Sequence, residues 1–171
     1  EITLPASLTT IGGYAFYGMT SLEKVTFESG CVMTKLGDEF PLTDKPLWGQ
    51  KIFAETPALK TVVLPEGLTL IGPNCFLNSG VETIALPATL RMVCDNAFEN
   101  CDNVKELNFS AALVHVGEKA FFDCDQLEKA DLVNGVEYLG TACFASCEKL
   151  KHANIPASVS TMFGNPFPGC T

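Results

Sequence analysis

The stretch from Leu86 to Phe109, LPATLRMVCDNAFENCDNVKELNF, is one copy of a unit that recurs along the chain. Phe109 opens the next copy, FSAALVHVGEKAFFDCDQLEKADL, and Leu132 opens another, LVNGVEYLGTACFASCEKLKHANI. The openers at 86, 109, 132 and 155 fall 23 residues apart. A fixed period of this length marks a solenoid, in which each unit buries its apolar side against its neighbours.

Within a copy, residue type sets the local structure. The first runs from Leu4 to Val25, LPASLTTIGGYAFYGMTSLEKV, and closes at Phe27. Val25 and Phe27 share one face of a strand by the period of two. Pro5 ends the strand before it, Leu8 and Ile11 mark a second short extended run, and Gly12 permits a sharp turn. Tyr14-Ala15-Phe16 predicts a single helical or 3₁₀ turn that drops Phe16 inward. Phe16, Phe76, Phe98, Phe121 and Phe144 are then expected in one interior file.

Two copies depart from this spacing. Phe27 to Leu64 spans 37 residues, 14 more than the period, which places an insertion within Cys31 to Gln50 around DEFPLTDKPLWGQ. It carries the only tryptophan, Trp48, together with Phe40, Asp38, Glu39 and Asp44. The copy from Leu64 to Leu86 is 22 residues long, one short near Asn78 to Gly80. From Ile155 the pattern continues as IPASVSTMFGNPFPGCT, with Phe163 in place of the turn glycine and Pro166 in place of alanine. The reading is one domain over 1–171, six full coils and a partial seventh, cut from a longer protein.

Composition narrows the function. Net charge is −9 with a pI of about 4.6, which disfavours nucleic acid and anionic membrane as partners. No apolar run reaches the ~18 residues of a membrane span. EITLP at the start has neither the basic nor the apolar region of a signal peptide. Of the eight cysteines, Cys101, Cys124, Cys147 and Cys170 fall 23 apart, while Cys75 and Cys143 share a second column that elsewhere holds alanine. That is the behaviour of a small buried apolar residue. Rungs about 4.8 Å apart also leave a bridge between neighbours sterically open. Neither CxxC nor Cys/His zinc spacing occurs.

Candidate chemistry is sparse. The two histidines fall on different runs, His115 beside Leu113 and Val116 and His152 between Leu150 and Ala153. Cys147 lies five residues before His152, but in the buried column. Neither G-x-S-x-G, GxGxxG nor a Walker sequence occurs. Asp102, Asp125 and Glu148 stack one residue after the cysteines. They suit either a solvated turn edge or calcium, which takes about six to eight oxygens. Asp95 and Glu118 share a column before the turn, where carboxylates accept from exposed N–H groups. No catalytic residue, metal site or cofactor is expected.

LPASLTTIGGYAF and NAFENCDNVKELNF resemble the BspA-type (Treponema pallidum-type) leucine-rich repeat. The resemblance covers the chain outside the insertion. Departures are Cys94 for the turn glycine and Ser110 and Val133 for the proline after the strand. It implies an α/β repeat: a right-handed solenoid with a concave parallel β-sheet and short extended, 3₁₀ or helical turns on the convex side. It also implies a secreted or cell-surface protein, typically bacterial, that adheres to host matrix proteins or other cells.

The concave sheet is then the expected binding face. Its outward positions are Lys24, Thr26, Thr61, Val63, Thr83, Ala85, Glu106, Asn108, Lys129, Asp131, His152 and Asn154. This surface has no aromatic anchor, and interface hot spots favour Trp, Tyr and Arg. Trp48 and Phe40 of the insertion would supply one, unless Trp48 merely anchors the loop to its own coil. The expected function is non-enzymatic binding of a protein or glycoprotein; the alternative is a spacer that presents other domains.

Overall fold

The computed structural model describes residues 1–38 and 50–170. In chain order its strands are β1 (Ile2–Leu4), β2 (Lys24–Phe27), β3 (Lys35–Leu36), β4 (Thr61–Val63), β5 (Leu70–Ile71), β6 (Thr83–Ala85), β7 (Met92–Val93), β8 (Glu106–Leu107), β9 (His115–Val116), β10 (Lys129–Asp131), β11 (Tyr138–Leu139), β12 (His152–Asn154) and β13 (Thr161–Met162). Every pairing is parallel, and each joins a strand to its counterpart one lap away. The molecule is a parallel β-solenoid of about seven turns.

Two sheets run along it. The first sheet takes one strand from each lap and comes in two pieces, β1-β2-β4-β6 and β8-β10-β12. The break falls just after the shortened copy, whose turn lacks one residue. There Gly80 donates to the carbonyl of Thr56 at 3.1 Å. A Cβ at Gly80 would lie 2.1 Å from the carbonyl oxygen of Pro57, so only glycine fits. The second sheet, β3-β5-β7-β9-β11-β13, is unbroken. It confirms the second extended run in every lap but the first, where Leu8 to Ile11 forms no strand.

The expected helical or 3₁₀ turn is not there: among the described residues there is no helix, and the α/β expectation is corrected to all-β. The physical reason lies in where alternate amides point. In the lap of Phe98, Asn96, Phe98 and Asn100 donate to the carbonyls of Glu118, Ala120 and Phe122 in the next lap, at 2.8–2.9 Å. The amides between them close local turns: Ala97 donates to Cys94, Glu99 to Asn96 and Cys101 to Phe98. A helix would keep all these amides within the segment. Here every second one stitches lap to lap. Two residues per lap take left-handed backbone to make this possible, among them Asn74, Asn78, Asn96 and Asn100 at φ 54–57°. Asparagine tolerates that conformation better than other non-glycine residues.

The turn ribbon drops its phenylalanine inward, as expected. Phe16, Phe53, Phe76, Phe98, Phe121, Phe144 and Phe167 stack in one file, with centroids 5.0–5.5 Å apart and planes within 7–12° of parallel. Val25, Val62, Ile84, Leu107 and Ala130 of the first sheet and Leu36, Ile71, Val93, Val116 and Leu139 of the second line the same core. Burying each large side chain contributes about 1.5–3 kcal/mol, so stability grows lap by lap.

No disulfide links any of the eight cysteines. The column thiols donate to the phenylalanine carbonyl of the preceding lap: Cys101 to Phe76 at 3.1 Å, Cys124 to Phe98 at 3.3 Å, Cys147 to Phe121 at 3.2 Å and Cys170 to Phe144 at 3.0 Å. Thr56 and Ser79 fill the column in earlier laps; the Thr56 hydroxyl donates to Phe53 and Ser79 contacts the Cys101 sulfur. Burial pushes the Cys101 thiol up to about 12.

The turn-glycine column owes its glycines to close stacking. A Cβ at Gly140 would lie 2.4 Å from the amide nitrogen of Glu118, and one at Gly117 2.6 Å from that of Asp95, while one at Gly12 would meet nothing. The insertion divides around β3. Leu36 lies nine residues after its opener where Ile71 lies seven, so two extra residues precede the strand and the remainder follow it.

Candidate functional site

The first sheet holds the expected binding residues in register. Lys24 pairs with Thr61 and Thr61 with Thr83; Glu106 pairs with Lys129 and Lys129 with His152. Thr83, Ala85, Glu106, Asn108, Lys129, Asp131, His152 and Asn154 are exposed, as is Val63, while Lys24, Thr26 and Thr61 are half-buried. The break between β6 and β8 separates the threonine-rich half from the charged half. Several of these polar groups already satisfy one another. Lys24 pairs with Glu1 at 3.1 Å, Lys129 with Asp131 at 2.8 Å, and the Thr3 and Thr26 hydroxyls meet at 3.0 Å. The hydrogen bond and charge of Asp131 hold the Lys129 ammonium above its ordinary value. Trp48 and Phe40, the expected aromatic anchors, lie outside the described residues, as do Glu39 and Asp44.

The other candidate groups do not converge. His115 is on the second sheet and His152 on the first, while Cys147 is buried in its column. Among the described residues no group of three or more His, Cys, Asp or Glu side chains is placed to hold a metal ion. Asp102 is raised above the usual carboxylate range by partial burial, then by Asp125 and Asp123. Asp95 accepts from the amide of Glu118 at 2.8 Å, so this carboxylate does serve the backbone, across a lap boundary.

The outer side of the second sheet was not anticipated as a site. It holds a groove of about 470 Å³ crossing four laps and reaching a fifth, from Thr69 and Leu70 through Arg91, Met92, Val114 and His115 to Glu137, Tyr138, Ser160 and Thr161. The rings of His115 and Tyr138 stack at 4.1 Å and 7°, and Phe163 follows Tyr138 at 5.7 Å. The sequence held a signal for it. His115 and Tyr138 are 23 residues apart in one column, and Arg91 is the only arginine in the chain.

The repeat spacing, the two sheets and the stacked file together define the architecture, and a family model for the BspA type leucine rich repeat region matches it in six copies over residues 1–40 and 48–171. The chain belongs to that family. Two solved structures share the solenoid fold. The leucine-rich repeat protein of T. pallidum superposes with a TM-score of 0.74 at 24% identity, over 94% of this chain and 72% of that one. A leucine-rich repeat protein from Bacteroides ovatus gives a TM-score of 0.54 at 24% identity, over 99% of this chain and 58% of that one. At such identity the likeness concerns the fold alone. A comparison with curated proteins returns no match. Among the described residues no helix is long and apolar enough to cross a membrane.

Proposed function

We propose that this chain is a non-enzymatic binding segment of a secreted or cell-surface protein, with a protein or glycoprotein as ligand. The observation that supports this best is the exposed first-sheet face. It is a row of mostly polar side chains held in fixed register by the parallel strands. Family membership favours a surface location, and adhesion to host matrix or to another cell is the role we infer for the longer protein. Lys129, Glu106, Asp131 and His152 are the residues we assign first to contact, then Lys24, Thr26, Thr61, Thr83, Asn108 and Asn154 of the same face; Phe40 and Trp48 of the insertion are assigned from the sequence alone.

The test is binding of the purified chain to immobilised matrix glycoproteins, compared with a Glu106→Lys, Lys129→Glu double variant. A ligand that binds the native chain and is lost by the variant supports the reading. The internal pairing of Lys129 with Asp131 and Lys24 with Glu1 favours the second reading, a spacer, because those charges are already engaged. Adhesion of the longer protein that survives the double variant would support the spacer.

A further inference from the structure

We propose that the groove on the second sheet binds an extended peptide segment carrying an acidic and a basic residue three positions apart; this rests on the binding reading above and gives it a partner chemistry. The argument begins with register. Arg91, Val114 and Glu137 occupy one column in three successive laps, each just before a strand. The carbonyl of Arg91 accepts from the amides of Val114 and His115, and that of Val114 from Glu137 and Tyr138, at 2.9–3.2 Å. The column therefore cannot slip. Two rungs at ~4.8 Å put the Arg91 and Glu137 backbones about 10 Å apart. Three residues of a peptide extended in the polyproline II form, at ~3.1 Å each and three to the turn, span nearly the same distance and bring the first and fourth side chains to one side.

Charge supplies the complementarity. Arg91 and Glu137 are exposed, and among the described residues neither makes an ion pair. A guanidinium offers a planar fork to a carboxylate, and a carboxylate takes an ammonium or guanidinium. An apolar residue between the two ligand charges would lie over Val114 and beside half-buried Met92 and the His115–Tyr138 stack. Tyr, Met and Arg are enriched at the cores of protein interfaces. The same stack argues against a sugar. The Tyr138 ring has His115 against it in the lap before and Phe163 as its neighbour in the lap after. A flat sugar ring would need an open aromatic face there.

The experiment is selection of a phage-displayed decapeptide library on the native chain, followed by affinity measurement of the enriched peptides as synthetic, terminally blocked molecules. The expected result is clones with an acid and a base three positions apart around an apolar residue. Arg91→Glu should weaken their binding about tenfold or more. The Arg91→Glu, Glu137→Arg double variant should restore it, because the peptide then binds in the opposite direction. Both positions are exposed, and an unchanged thermal melt checks that the variants fold. Absence of enrichment, clones without this spacing, or binding indifferent to Arg91→Glu would overturn the proposal. Should that happen while the Glu106- and Lys129-dependent binding persists, the groove falls and the wider reading stands. If neither face retains a ligand, both fall together.

Discussion

The first sheet and the turn ribbon both repeat once per lap, yet only one of them is continuous. The sheet breaks between Ala85 and Glu106, whereas the phenylalanine file on the ribbon runs from Phe16 to Phe167 without a gap. At the break in the sheet the ribbon still carries its three lap-to-lap hydrogen bonds, from Asn74, Phe76 and Asn78 to Asp95, Ala97 and Glu99. The difference teaches that where the first sheet lapses the laps are held in place by the ribbon, the rings beneath it and the unbroken second sheet. That leaves the first sheet's surface free to vary in sequence.

The largest test of this contrast is Phe121→Ala. Phe121 is fully buried, stacked between Phe98 and Phe144 and touched edge-on by Phe109. Its loss should cost roughly 3–5 kcal/mol, as for other buried phenylalanines. Because each lap contacts only its neighbours, unfolding should also become less cooperative, with the laps on either side of the cavity separating in a denaturant titration. A melt left unmoved by Phe121→Ala would return the credit to the sheets.

A smaller effect follows from the thiol column. Burial pushes Cys101 and Cys143 up to about 12, from 9.0 for an ordinary thiol, and raises Cys75 as well. The folded state thus holds protons that the unfolded chain releases as the pH passes 9. Stability is complete below that pH and falls as pH rises toward the folded value, by about 1.4 kcal/mol per pH unit for each such thiol. Cys101→Ser introduces a hydroxyl of the kind Ser79 already places in this column. The variant should lose stability less steeply between pH 9 and 10 than the native chain, by about one thiol's share. Parallel slopes in urea unfolding at the two pH values would contradict the protonated, buried column.

Much of this was legible in the sequence because it depends on side chains of one kind returning at one spacing. Phe76, Phe98, Phe121 and Phe144 announce the file, and Cys101, Cys124 and Cys147 announce a buried column. The turn was misread for a physical reason. Tyr14-Ala15-Phe16 has the composition of a short helix, and what forbids one is the neighbouring lap, which supplies carbonyls to alternate amides. The left-handed positions are filled by Tyr14, Lys51, Asn74, Asn96, Lys119 and Ala142, so no single residue type marks the column. The groove escaped for a similar reason. Leu70, Met92, His115, Tyr138 and Thr161 share a column with no common chemistry, and only stacking turns them into one surface. Trp48 and Phe40 lie outside the described residues, so the proposed role of the insertion stands on its sequence alone.

The smallest expected effect is on the first sheet itself. Thr83 is exposed and sits on β6, the strand at the break. If the outward face contributes little to holding the laps together, Thr83→Ala should shift stability by no more than about 0.5 kcal/mol, the usual range for surface substitutions. Its inward neighbour Ile84 is buried, and Ile84→Ala should cost several times more, about 2–5 kcal/mol. The pair thereby separates the two sides of a single strand. A cost at Thr83 approaching that at Ile84 would mean that the β6 surface bears on the fold, and the outward row could not then have diverged freely to suit a ligand.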